Sequence, residues 1–242
     1  MSLRLLLISN STLYGSGYLD HAATEIGVFL GPGVRRVLFV PFALRDWEAY
    51  AERARERFAQ LGVGLDSVHE AGDPRAAVES AEAVFVGGGN TFRLLAALYR
   101  FDLLITIRRR VARGTPYIGS SAGSIVACPT LKTTKDMPIV EPPSFEALGL
   151  VDFQISPHYL DPEPASTHMG ETQEERILQY LEENERPVAG LREGAILRVE
   201  DGSVVLKGSA GARIFRRGCE TVERRPVAEI GDLLRFSPEV AR

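Results

Sequence analysis

Tyr117-Ile118-Gly119-Ser120-Ser121-Ala122-Gly123 is the stretch on which the fold turns. It opens apolar, as the end of a buried strand does, and closes on small residues around a serine. Glycines flank Ser121 two places before and two places after, giving G-x-S-x-G, whereas Ser120 has Ile118 and Ala122 at those places. A serine held at a sharp strand-to-helix turn needs small neighbours on both sides, because the turn is strained and crowded. Such a turn lifts the hydroxyl to the carboxyl end of its strand and aims the Ala122 N–H at any negative oxygen that develops there. Ser121 is therefore the candidate nucleophile, and the chain around it is expected to be α/β.

The segments upstream agree. Leu5–Ser9, Val37–Phe42, Gly64–His69, Ala83–Val86 and Pro116–Gly119 read as strands. Helical patterns over Tyr18–Leu30, Trp47–Leu61, Pro74–Ser80, Thr91–Tyr99 and Leu103–Arg113 alternate with them, with stops at Gly31-Pro32-Gly33 and at Gly62. Strand–helix alternation at this rhythm implies a mostly parallel sheet with helices on both faces, in three layers. Near-continuous apolar strands fit burial on both sides. Downstream, Pro129–Pro157 is rich in Pro and Thr and reads as long loops, and Thr172–Glu183 reads as a helix. Val188–Leu191, Ala195–Val199, Ser203–Leu206 and Ala212–Phe215 suggest an antiparallel extension of the sheet near the C-terminus. No internal repeat, low-complexity linker or boundary interrupts the chain, so residues 1–242 are expected to form one α/β domain.

Bulk properties narrow the function. Of 242 residues, 45% are apolar and 25% charged, and the net charge is -4. That balance offers no excess positive charge for nucleic acid. The arginines at Arg108–Arg110, Arg216–Arg217 and Arg224–Arg225 read as solvated faces. Cys128 and Cys219 are not in a C-x-x-C pair and have no histidine at metal spacing, so neither a metal site nor a disulfide is expected. Cys128 reads as a small buried hydrophobe. The apolar run Leu5–Ile8 is too short for a signal peptide, and no window approaches the ~18 apolar residues of a membrane span. A cytoplasmic location away from membranes is expected.

A serine nucleophile needs a base, and the base needs an orienting acid. Of the four histidines, His21 lies in the first helical pattern, His69 ends a short strand, and His168 sits in a polar segment beside Met169. His158 follows Ser156-Pro157 just past the apolar run Phe153–Ile155, where a loop would present a base. Two carboxylates compete for the acid's role. Asp136 lies in a loop between nucleophile and base, and Glu193 lies in the turn Arg192-Glu193-Gly194. Gly87-Gly88-Gly89-Asn90-Thr91 exposes backbone N–H groups between a strand and a helix. G-x-G-x-x-G fails at Phe92 and no G-K-[ST] is present, so a nucleotide loop is not supported. The same donors suit an oxyanion hole, with Gly88 or Gly89 facing Ala122.

These motifs stand in an order that resembles the peptidase E family of aspartyl dipeptidases. The set comprises Asn10-Ser11-Thr12, Val86–Phe92, Ser121-Ala122-Gly123, Ala127–Thr130, Asp136–Val140, Ser156-Pro157-His158 and Gly170-Glu171-Thr172. The resemblance runs from the first strand to about Gly194. It implies a fold like the class I glutamine amidotransferases, no metal or cofactor, and a homodimer. It makes Ser121 the nucleophile and His158 the base. Asp136 matches the residue usually assigned as the third member, and Glu193 matches a glutamate also proposed for that role. The implied substrate is a small peptide, a dipeptide with N-terminal aspartate, with Asn90 among the residues near it.

One departure bears on that substrate. The family pattern Gly-Glu-Thr-Arg carries an arginine suited to an aspartyl carboxylate, and here the position is Gln173. A neutral amide lacks the charge-assisted pair. Arg176 and Arg192 are the nearby cations that would substitute, and Arg192 itself replaces an expected proline. Rival readings are cyanophycinase-like cleavage of β-aspartyl peptides and a non-catalytic small-molecule sensor on the same scaffold. An amidotransferase proper is disfavoured, because it uses cysteine at the turn and Cys128 lies well past it.

Overall fold

The computed structural model describes residues 3–236 apart from Pro164, Ser166 and His168, so the reading of His168 lies outside the described residues. Strands β1 (Arg4–Ile8), β2 (Arg36–Val40), β3 (Gly64–Ser67), β4 (Val84–Val86) and β5 (Tyr117–Ser120) pair in parallel, in the order β1-β5-β4-β2-β3. Side chains of a strand alternate between faces. Leu5, Leu7, Val84 and Val86 therefore enter one apolar layer, while Leu6, Ile8 and Phe85 enter the other. Burial on both faces is what made these strands near-continuously apolar in sequence.

Helices cover each face. α1 (Ala23–Leu30) and α2 (Trp47–Gln60) bury Phe29 and Phe58 against one side. α3 (Pro74–Ser80), α4 (Thr91–Arg100), α5 (Leu103–Ala112) and the short α6 (Ala122–Val126) lie on the other. Their starts are chemically set. Asp46 caps α2 by accepting from the Ala49 N–H at 2.9 Å, and Asp73 caps α3 ahead of Pro74 in its first turn. Two boundaries differ from expectation. The first helix starts with a 3-10 turn at Asp20 rather than at Tyr18, because Leu19 has φ 58°, outside the helical region. β2 ends at Val40, since Pro41 has no N–H to continue the ladder.

The C-terminal part corrects the reading of a single extended sheet. Segment 129–157 is mostly irregular, as expected, but ends in β6 (Gln154–Ser156). After it come α7 (Gln173–Glu183), β7 (Val188–Leu191), β8 (Ala195–Glu200), β9 (Ser203–Gly208), β10 (Ala212–Phe215), β11 (Val222–Arg224), β12 (Ala228–Glu229) and α8 (Gly231–Leu234). β8, β9 and β12 do extend the main sheet antiparallel beyond β1, giving eight strands. β7 and β10 do not join it. They form a second, four-stranded sheet in the order β11-β10-β7-β6. α7 covers this sheet through Ile177 and Leu181 against Val188 and Phe215, and Arg213 of β10 holds Glu174 at 2.7 Å. Among the described residues no helix is long and apolar enough to cross a membrane.

Candidate active site

The carboxyl ends of β1, β5 and β4 lie side by side in the main sheet, and the ends of β6 and β7 meet them from the second sheet. Crevices at such strand ends are where open α/β sheets bind ligands. Ser121 stands where β5 turns into α6, with φ 51° and ψ -110°, a conformation rarely adopted by a residue with a side chain. Its N–H is tied to the Ile8 carbonyl at 2.9 Å. The two glycines of the motif are required by contact. A Cβ on Gly119 would meet the Gly123 carbonyl oxygen at 2.5 Å, and one on Gly123 would meet that of Val86 at 2.1 Å. Ser120 points away, fully buried, and its hydroxyl has no partner among the described residues.

His158 follows β6, also at positive φ (52°). Its N–H donates to Ser9 Oγ at 2.9 Å, and that hydroxyl donates to the Leu191 carbonyl at 2.9 Å. Its ring spans two partners. Nε2 lies 2.9 Å from Ser121 Oγ, and Nδ1 lies 2.8 Å from Glu193 Oε1. An ionised carboxylate only accepts, so Nδ1 carries the proton in the neutral ring and Nε2 is left to accept from the serine hydroxyl. The side chains of His158 and Glu193 are 40% and 47% exposed, so the array opens directly to solvent. Glu193 is set by the turn after β7. There Gly194 has φ 89°, and its N–H donates to Asn10 Oδ1 at 2.8 Å.

The other expected residues fall in different places. Both ring nitrogens of His158 are occupied, which leaves none for Asp136. The Asp136 carboxylate instead accepts from the Thr91 N–H (2.7 Å), Thr91 Oγ1 (2.6 Å) and Thr134 Oγ1 (3.1 Å) at the start of α4. Asn90 caps α4 through the Arg93 N–H at 3.0 Å and donates to the Met137 carbonyl at 2.8 Å, so its side chain is occupied by structure. Arg192 forks between Asp161 (2.7 and 2.9 Å) and Glu223 (2.7 and 2.8 Å), which occupy its guanidinium and offset its charge. Arg176 is exposed, 3.6 Å from Glu171. Gln173 Oε1 accepts from Lys135 Nζ and the Leu160 N–H, both at 3.0 Å.

The glycine turn after β4 abuts the nucleophile. A Cβ on Gly88 would come within 3.0 Å of Ser121 Cβ, and Gly89 holds φ 135° against the Ala43 carbonyl. The Gly88 N–H faces the phenol of Tyr50, whose pKa is pushed up by burial. The Gly89 N–H has no partner among the described residues, and the Ala122 N–H, at the start of α6, has no intrahelical acceptor. Lys135 and Ser9 escaped the sequence reading. A lysine in a polar loop and a buried serine at the end of an apolar strand carry no distinguishing signal, and only the approach of distant segments gives them a role. Away from this crevice, Glu48, His69 and Glu70 bring ligand atoms within 4.8 Å of one another, but His69 Nδ1 already meets Ser67 and Glu70 already pairs with Arg55. Cys128 is buried, as read from the sequence, and burial pushes its thiol well above the usual range.

Known proteins are similar to the chain along nearly its whole length. Over 232 residues it is 55% identical to peptidase E of Streptomyces coelicolor, a match spanning 96% of this chain and 95% of that one. It is 47% identical to a protein of Drosophila melanogaster named probable alpha-aspartyl dipeptidase, across 95% of this chain and 97% of that one. Among solved structures, a peptidase from an acI-B1 Actinobacterium superposes with a TM-score of 0.69 at 18% identity, covering 95% of this chain and 97% of that one, and so shares the fold. Residues 5–207, which hold every residue of the crevice described above, match peptidase family S51, and the chain belongs to that family.

Proposed function

We propose that the chain is a serine dipeptidase that removes an N-terminal acidic residue from short peptides, with Ser121 as nucleophile, His158 as base and Glu193 as the acid behind it. The observation that carries this reading is the unbroken hydrogen-bonded series Ser121 Oγ, His158 Nε2, His158 Nδ1 and Glu193 Oε1 at a strained strand-to-helix turn. The relatives named for peptidase E and alpha-aspartyl dipeptidase activity support the substrate class. Asp136 serves as an anchor of the loop over α4, not as the third member.

In the first step Oγ of Ser121 bonds to the scissile carbonyl carbon as its proton passes to His158 Nε2. Negative charge on the carbonyl oxygen faces the N–H groups of Ala122 and of Gly88 or Gly89, the latter being the less encumbered. Collapse breaks the C–N bond, and the Nε2 proton goes to the departing amine. Water then repeats the cycle on the acyl-serine, giving its proton to Nε2 and restoring the Ser121 hydroxyl. Glu193 holds the ring in the required tautomer and stabilises the imidazolium.

The test is direct. Ser121→Ala is expected to lower kcat on Asp-Leu by at least about a thousandfold, and to abolish labelling by a fluorophosphonate, with an unchanged circular dichroism spectrum. Loss of labelling in Ser120→Ala but not in Ser121→Ala would overturn the assignment. The family resemblance further supports a homodimer, checked by light scattering on the eluted protein.

A further inference from the structure

Lys135 has no part in the Ser121–His158–Glu193 series, yet it touches it. Its Nζ donates to the His158 carbonyl at 2.8 Å and to Gln173 Oε1 at 3.0 Å. Both acceptors are neutral, and among the described residues no carboxylate lies within ion-pair distance of it. An ammonium held this way has no ion pair to offset its charge and has a third N–H to offer. Gln173 is fixed in the same contact. Its Oε1 takes Lys135 and the Leu160 N–H, so its NH2 group is the part left to donate.

The surroundings are unusual in their charge. A small cleft of about 90 Å³, reached from His158 through Lys135, is lined by Lys132, Lys135 and Arg176 together with Gln173, Ser156 and Tyr180, and among the described residues by no Asp or Glu. Lys132 is held by the amide oxygen of Asn184, and Arg176 is only loosely paired with Glu171. Three cations therefore converge on a space with room for a small group. Lys135 is open to solvent on one side but crowded by protein on the others. That crowding pushes its pKa down to about 8, helped by Arg176 and opposed by Asp136 and Glu193. A bound anion would relieve this cost of holding charge.

We propose that Lys135, with the amide of Gln173 beside it, binds the side-chain carboxylate of the substrate residue on the acyl side of the scissile bond. The cation that a neutral Gln173 cannot supply is delivered from the neighbouring loop instead. This rests on the dipeptidase reading above. Lys135 is then a specificity-determining residue, and it acts on KM more than on kcat.

The experiment compares aspartyl p-nitroanilide with asparaginyl p-nitroanilide on the full chain, as wild type, Lys135→Met, Lys135→Gln and Lys135→Arg. An anilide has no C-terminal carboxylate, so it reports on the acyl side alone. The Asp-to-Asn ratio of kcat/KM is expected to fall at least about tenfold in the two neutral variants, through KM, and to recover in Lys135→Arg. A pH profile adds a second readout. Only protonated Lys135 binds a carboxylate, so kcat/KM for the aspartyl substrate should fall as pH rises through about 8 in wild type but not in Lys135→Arg. The charged or titratable groups facing Lys135 (Asp136, Glu193, Arg176, Lys132 and Tyr180) are the same in both proteins. An unchanged ratio, or an equal loss on both substrates, overturns the proposal. A wild type that labels with fluorophosphonate but shows no aspartyl preference overturns Lys135's role alone. A wild type that neither labels nor cleaves either anilide overturns the dipeptidase reading with it.

Discussion

Two carboxylates could be written behind His158 from the sequence, and their surroundings in the fold separate them. Among the described residues the exposed Glu193 carboxylate hydrogen-bonds only the ring nitrogen, whereas Asp136 is ringed by the Thr91 N–H and two threonine hydroxyls. Glu193→Gln keeps the shape but lets the amide donate to Nδ1, which stabilises the wrong tautomer. It should lower kcat by roughly a hundredfold to ten-thousandfold, measured by steady-state kinetics, with little change in the unfolding midpoint. Asp136→Asn removes charge from three hydrogen bonds at the start of α4. It should cost about 1–3 kcal/mol in chemical denaturation and slow fluorophosphonate labelling far less than Glu193→Gln does. Equal catalytic losses in the two variants would contradict this division. The turn at Ser121 was legible because G-x-S-x-G is a local steric requirement. Which of Asp136 and Glu193 faces His158 was not, because Glu193 reaches it only through the meeting of two loops 35 positions apart in the chain.

At the scale of elements, the turn from β5 into α6 is the most tightly determined piece of the molecule. Gly123 rests against the Val86 carbonyl of the adjacent strand, so the sharpness of the turn and the spacing of β4 and β5 are one constraint. Gly123→Ala must push backbone apart rather than rotate a side chain. It should cost roughly 3 kcal/mol or more in stability, read from urea unfolding, and should abolish labelling of Ser121 even in the folded fraction. A variant of native stability and full labelling would show the contact to be softer than its geometry. The parallel strands were readable for the same local reason, since burial on two faces leaves an apolar run. The second sheet was not. β6 and β11 are three residues long, too short for a pattern, and whether β7 and β10, both read as strands, pair with the main sheet or with β6 and β11 depends on partners that sequence order does not supply.

Among the described residues the strands form two sheets, and the groups of the hydrogen-bonded series are divided between them. Ser121 and the glycine turn ride on the main sheet, whereas His158 and Glu193 ride on the ends of β6 and β7. One hydroxyl bridges the junction: Ser9, at the end of β1, accepts from the His158 N–H and donates to the Leu191 carbonyl. Hydrolysis therefore reports the relative set of the two sheets more sensitively than any spectroscopic average over secondary structure. Warming that lets them slip by a fraction of an ångström would part Oγ from Nε2 while leaving every helix and strand intact. Reversible inactivation should accordingly set in below the temperature at which the far-ultraviolet signal melts, and Ser9→Ala should widen that interval. Coincident curves in both proteins would mean that the sheets move as one body. The same junction thereby gives the enzyme a thermal ceiling on turnover set by alignment rather than by unfolding.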